Sequence, residues 1–157
     1  MTESPKVFDF EGNSVRSFHR ISMSMRRKLD FARIKMSLEQ WGKLSQEQRK
    51  MLFNAPCTGD AESSQHYAKL VREAVKQAAG EEVKALTDPR FDLWQKADAI
   101  PEKIEKLAKK MVNKEITLPQ WKGLESLQRF ALLKLSQSHR ESEHVNFRLA
   151  LKEFGLI

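Results

Sequence analysis

The chain has 157 residues, 40% of them hydrophobic and 31% charged, with three Trp and nine Phe, a composition that supports one compact core and excludes a disordered tail. A single cysteine, Cys57, excludes a disulfide within the chain, and no apolar run is long enough for a membrane span or an export signal, so a cytoplasmic protein is expected. The net charge of +7 is uneven, because Arg16, Arg20, Arg26, Arg27, Lys28, Arg33 and Lys35 stand against Asp30 alone between Ser14 and Lys35; such a patch attracts phosphates, anionic lipid or an acidic protein face, and charge alone does not choose among them.

In chain order, residues 7–11 alternate apolar and polar, which predicts a short extended segment with Phe8 and Phe10 on one side. From Ser22 the period becomes helical, with Ile21, Met25, Leu29 and Ala32 on one face and the arginines on another. Ser37 and Gln40 form a capping box opening a short helix on which Leu38 and Trp41 share a face, and Ser45 with Gln48 opens a further helix that stops near Asn54, ahead of Pro56. Asp60 starts the longest run, a helix over 61–79 with Tyr67, Leu70, Val71, Ala74, Val75 and Ala78 inward and Gly80 as the left-handed terminator. Asp88-Pro89 and Ile100-Pro101 each place proline at a first helical position, the second helix turning Ile104, Leu107, Ala108 and Met111 inward. Helical segments over 118–135 and 143–154 complete the set, the last with Phe147, Ala150, Leu151 and Phe154 on one face before Gly155.

The expected fold class is therefore all-α, a single helical domain over 1–157. Shifting the sequence by 80 residues aligns 36–52 with 116–132, and Leu38, Gln40, Trp41, Leu44, Gln48, Arg49 and Leu52 meet identical residues at Leu118, Gln120, Trp121, Leu124, Gln128, Arg129 and Leu132. Average composition yields about one such identity by chance. This predicts two related helical halves, a Leu-x-x-Trp-x-x-Leu-x-x-x-x-Arg unit repeated within about 21–54 and 100–135, linked by helices over 61–99 and closed by the helix at 143–154. Trp41 and Trp121 are expected to plug the crevice between flanking helices. Arg49 and Arg129 either bond carbonyls of the neighbouring short helix or stand exposed to read a partner's carboxylate or phosphate.

No catalytic constellation is visible: the sequence has no Gly-rich phosphate loop, no Gly-x-Ser-x-Gly and no His-Glu-x-x-His. The four histidines are scattered, with His139 and His144 off the spacing that brings two ligands to one helix face. No enzyme activity, cofactor or metal is expected. Cys57 reads as a small buried residue at a turn or, if exposed, as a redox-active or transient ligand.

The sequence resembles the nitrate reductase associated protein family through Phe8-Asp9-Phe10-Glu11, Arg27-Lys28-Leu29-Asp30, Ile34-Lys35-Met36-x-Leu38-x-x-Trp41, Pro56-Cys57 and Ile100-Pro101. The likeness continues through Gln128-Arg129-Phe130-Ala131-Leu132-x-Lys134-Leu135 and a closing Asn146-Phe147-x-x-Ala150-Leu151-x-Glu153-Phe154-Gly155-Leu156. Where the family leads one to expect Cys-Ile-Pro ahead of Met23, this chain has Arg20-Ile21-Ser22, so no thiol role carries over to that place. The resemblance implies an accessory role beside a cytoplasmic molybdenum-dependent assimilatory nitrate reductase, with the reductase or a molybdenum-cofactor delivery protein as partner. The candidate partner-binding residues are the basic stretch together with Arg49 and Arg129. The alternative reading is a nucleic-acid-binding regulator using segment 14–35, disfavoured by the lack of a helix-turn-helix spacing and by a nearly neutral second half. Carriage of a pterin cofactor is a third possibility, and it requires the arginines to converge on a concave pocket.

Overall fold

A computed structural model describes residues 7–87 and 93–157. It is mainly α-helical, and the chain divides into two compact units, residues 1–88 and 89–157.

The first unit opens with a 3-10 turn, Asp9–Glu11, where an extended segment was expected; it runs into α1 (Gly12–Arg16). The reason is Glu11. Its buried carboxylate accepts hydrogen bonds from the backbone N–H of Phe8 at 2.8 Å and of Met23 at 2.7 Å, folding the turn back onto the start of α2 (Met23–Phe31). Phe8 and Phe10 do lie together, their rings stacked at 5.5 Å. Ser22 completes the start of α2 by accepting from the N–H of Met25, so a negative charge and a side-chain cap meet at one helix N-terminus.

Beyond α2 the chain makes a two-residue strand, β1 (Ile34–Lys35), paired antiparallel with β2 (Lys84–Ala85) in the register Ile34 to Ala85. Local pattern does not reveal this ladder, because its partners are fifty residues apart. Then come α3 (Leu38–Lys43), α4 (Gln46–Asn54) and α5 (Ala61–Ala79). The expected capping boxes at Ser37/Gln40 and Ser45/Gln48 both form, and Gly80 ends α5 in the left-handed conformation. Tyr67, Val71, Ala74 and Val75 of α5 bury against Met25, Leu29, Trp41 and Leu52. Leu38 departs from expectation: it is 60% exposed while Trp41 is buried. As the first residue of a six-residue helix it points back past the helix end, beyond the reach of the core.

In the second unit, a 3-10 turn (Leu93–Gln95) carries the buried Trp94, followed by α6 (Glu102–Val112), α7 (Leu118–Lys122), α8 (Ser126–Gln137) and α9 (Glu141–Glu153). Pro101 is the N-cap of α6 rather than its first helical residue; the helix start expected at Asp88-Pro89 lies outside the described residues. Ile104, Leu107 and Ala108 of α6 are buried, as are Phe130 to Leu133 of α8 and Phe147, Ala150 and Leu151 of α9. Leu118, in the place Leu38 holds on α3, is likewise exposed, at 39%.

Candidate functional site

The cations differ in what their side chains touch. Arg49 spreads its guanidinium over three backbone carbonyls, donating from Nε to Trp41 at 3.2 Å, from Nη1 to Phe18 at 3.0 Å and from Nη2 to Gly42 at 3.1 Å. The indole N–H of Trp41 donates to the carbonyl of His19 at 3.2 Å, and the arginine lies 5.3 Å above the indole ring. Arg129 is 9% exposed and donates from Nε to Trp94 at 3.0 Å and from Nη1 to Leu124 at 2.7 Å, while the indole N–H of Trp121 donates to Lys96 at 3.0 Å. Burial lowers the Arg129 pKa. In each unit, then, a Trp and an Arg eight residues later clamp the preceding segment to the short helix. Guanidinium groups so engaged serve packing first.

Lys28 is also drawn inward. Its Nζ donates to the carbonyls of Phe53 and Ala55, each at 2.7 Å, satisfying carbonyls at the end of α4 that the helix itself leaves open. Leaving water lowers its pKa to about 8, with the neighbouring Cys57 acting in the opposite sense and Arg27 adding to the fall. Tyr67, fully buried, donates its hydroxyl to the carbonyl of Leu52 beside them. Cys57 sits in this cluster, buried, with Sγ 3.8 Å from the Lys28 carbonyl and 3.9 Å from the Ser64 hydroxyl. Burial raises its pKa, which keeps the sulfur a protonated thiol, the less reactive form for ligation or exchange.

The remaining cations lie along α2 and at its ends. Arg16 pairs with Asp9 at 3.2 Å in an exposed ion pair, Arg26 is half-buried against the sulfur of Met23, and Arg27 lies 5.9 Å over the ring of Phe31. Arg20, Arg33 and Lys35 are exposed. Arg20 precedes α2 and the other two follow it, so nine helical residues, on the order of 14 Å, separate them. They form a ridge. A ridge suits an extended acidic face better than the convergent pocket that pterin carriage requires. Arg33 has φ 56°, a left-handed conformation at the position after the helix cap that glycine usually fills. A β-carbon there costs on the order of 1 kcal/mol.

A family model described as conserved nitrate reductase-associated protein matches residues 7–154. The chain belongs to that family. Neither the curated proteins nor the solved structures contain a match. The nitrate reductase-associated match takes in both units, with the Glu11 turn, the Lys28–Cys57 cluster, both Trp–Arg clamps and α9. Among the described residues no three His, Cys, Asp or Glu side chains group as a metal ion needs, and no helix is long and apolar enough to cross a membrane.

Sequence reasoning singled out Cys57, Arg49 and Arg129 and placed Tyr67 inward, but it missed the parts played by Glu11 and Trp94. Glu11 had a usable signal, an acid three residues after Phe8 in a capping-box spacing. Trp94 had none, since its carbonyl is met by Arg129, 35 positions away, and its ring packs edge-on at 5.3 Å with Phe130, 36 positions away.

Proposed function

We propose that the protein is a non-catalytic, cytoplasmic binding module of nitrate assimilation. It holds the molybdenum-dependent nitrate reductase, or a protein that delivers the molybdenum cofactor to it, through the cationic ridge of the first unit. The observation that carries this reading is family membership over residues 7–154, and two features of the ridge support it. Arg20, Arg33 and Lys35 are exposed, and Lys28 and Arg49 donate to backbone carbonyls. Arg33 also holds a left-handed position, φ 56°, where a β-carbon is strained and glycine would relieve that strain. Exposed Leu38 and Leu118 add apolar contact points at matching places on the two short helices. The nucleic-acid alternative gains no support from the fold or from the family.

The test is co-purification from nitrate-grown cells with the tagged chain. Reductase or cofactor-delivery proteins are expected in the eluate, and their absence counts against the proposal. Arg33→Gly sharpens the test, because relief of strain should hold or raise stability while capture falls. Loss of capture together with loss of stability would assign Arg33 to folding.

A further inference from the structure

Helix α9 buries Phe147, Ala150 and Leu151, and at 100° per residue its exposed positions fall on one stripe opposite them. Val145 and Leu149, 55% and 46% exposed, stand in the middle of that stripe, one turn apart. Both signs of charge flank them. One edge carries Glu141, then Arg148 and Lys152; the other carries Ser142 and, at the far end, Glu153, all of them exposed. The acid and the bases of the first edge do not pair along the helix, because neither Arg148 nor Lys152 has an acidic residue three or four positions away, and Glu141 has no Lys or Arg at those distances. Among the described residues Glu141 and Lys152 enter no ion pair elsewhere in the chain.

An order of acid, apolar centre and base along one edge is its own complement when reversed. If two copies of α9 lie antiparallel about a two-fold axis midway between Val145 and Leu149, each Val145 meets the Leu149 of the other copy, and each edge meets the same edge running the opposite way. With a rise of 1.5 Å per residue, Glu141 then comes level with Lys152 of the second copy to within about 1.5 Å along the axis, on the same edge. Ser142 comes level with Glu153 of the second copy on the other edge to the same margin, a hydroxyl donor beside a carboxylate. The two-fold axis makes each pairing twice. A parallel pair would instead set Glu141 against Glu141 and Lys152 against Lys152, so charge selects the antiparallel arrangement. The one like-charge encounter is Arg148 with its own counterpart, toward the rim, where a long side chain keeps its head in water. Thirteen helical residues span only about 20 Å. A contact of that length falls short of the roughly 1,600 Å² of a stable interface, so the pairing is weak and depends on concentration.

We infer that the exposed face of α9 is a self-association surface, on which a second copy of this chain docks antiparallel through Val145 and Leu149 with reciprocal Glu141–Lys152 pairs. The experiment is sedimentation equilibrium of the full-length chain from roughly 10 μM to 1 mM, the range in which an interface of this size associates. A monomer–dimer equilibrium is expected, weakened about tenfold by Leu149→Ser and by either charge reversal, Glu141→Lys or Lys152→Glu. The double reversal Glu141→Lys with Lys152→Glu restores association to within about threefold of wild type, because the opposite charges again face each other. Arg148→Ser removes the like-charge encounter and strengthens association about threefold. All these substitutions are at exposed positions, and unchanged melting shows that each variant is folded. The inference is overturned if the chain stays monomeric throughout, if Leu149→Ser associates as well as wild type, if the double reversal remains as weak as the single ones, or if Arg148→Ser weakens the dimer.

Discussion

The two Trp–Arg clamps use the same residues at the same spacing, yet they sit in different surroundings. In the first unit Arg49 is half-buried and reaches three carbonyls, on a helix, α4, that buries only Leu52. In the second unit Arg129 is buried and reaches two, on a helix that buries seven of its twelve residues. The helix ends differ as well. Helix α4 stops at Asn54, and Lys28 and Tyr67 supply the donors its last carbonyls lack. Helix α8 instead runs on to Gln137. One local device thus serves as a half-buried tie in one unit and as a buried core element in the other, and its energetic weight is expected to follow burial rather than the number of hydrogen bonds.

The largest effects should come from the tryptophans. Trp121→Ala is expected to destabilise its unit by about 3–5 kcal/mol, with Trp41→Ala toward the lower end, because each removes a buried indole and leaves a carbonyl without its donor. Urea unfolding followed by amide exchange in each unit separates the two losses, since a single global transition is not assured for a chain of two compact units. Equal and wild-type melting of both variants would refute the clamp in either setting.

The arginines sharpen the comparison. Arg129→Met should cost about 2–3 kcal/mol, because the carbonyls of Trp94 and Leu124 lose a buried donor, whereas Arg49→Met should cost about 1 kcal/mol, since water reaches part of what the side chain leaves. If Arg49→Met proves the costlier, hydrogen-bond number outweighs burial and the contrast drawn between the units is reversed.

Only the first unit should show the alkaline signature of a buried lysine. The native Lys28 pKa is lowered to about 8 from a usual value of 10.5, so between those limits the unfolded chain binds more protons than the folded one. Stability should therefore rise with pH across that window, after a penalty present in full below about pH 8. Cys57 acts oppositely: its raised pKa means that stability falls once the unfolded thiol begins to ionise, near pH 9. The difference between wild type and Lys28→Met, followed from pH 7 to 9, isolates the lysine. A flat difference would mean that Nζ is not desolvated in the folded chain.

The helices and their caps were readable because they are local. Ser37 with Gln40, Asp60 and Gly80 act within one turn of their own positions, and all fell where the pattern put them. The destination of charge was not readable. Seven basic residues in a row of twenty-two look like one patch, but whether Lys28 faces a partner depends on the carbonyls of Phe53 and Ala55, fixed only when α4 packs on α2. The β1–β2 pairing and Trp94 escaped for the same reason of distance along the chain. The paired exposure of Val145 and Leu149 was open to view on a helical projection, opposite Phe147 and Leu151.

The smallest stability effects are expected at Leu38 and Leu118. Each is shared by the two aligned segments, each begins its short helix, and each is exposed, so neither contributes to the core that the neighbouring Trp fills. Leu38→Ser and Leu118→Ser should change stability by no more than about 0.5 kcal/mol, singly or together. The double variant then isolates the surface use of the aligned segments from their folding. If it melts as wild type and captures less reductase from nitrate-grown cells, the shared leucines act as apolar contact points and the likeness of the two segments extends to binding. If capture is unchanged, the likeness concerns the clamp alone, and recognition rests on the cations of the first unit.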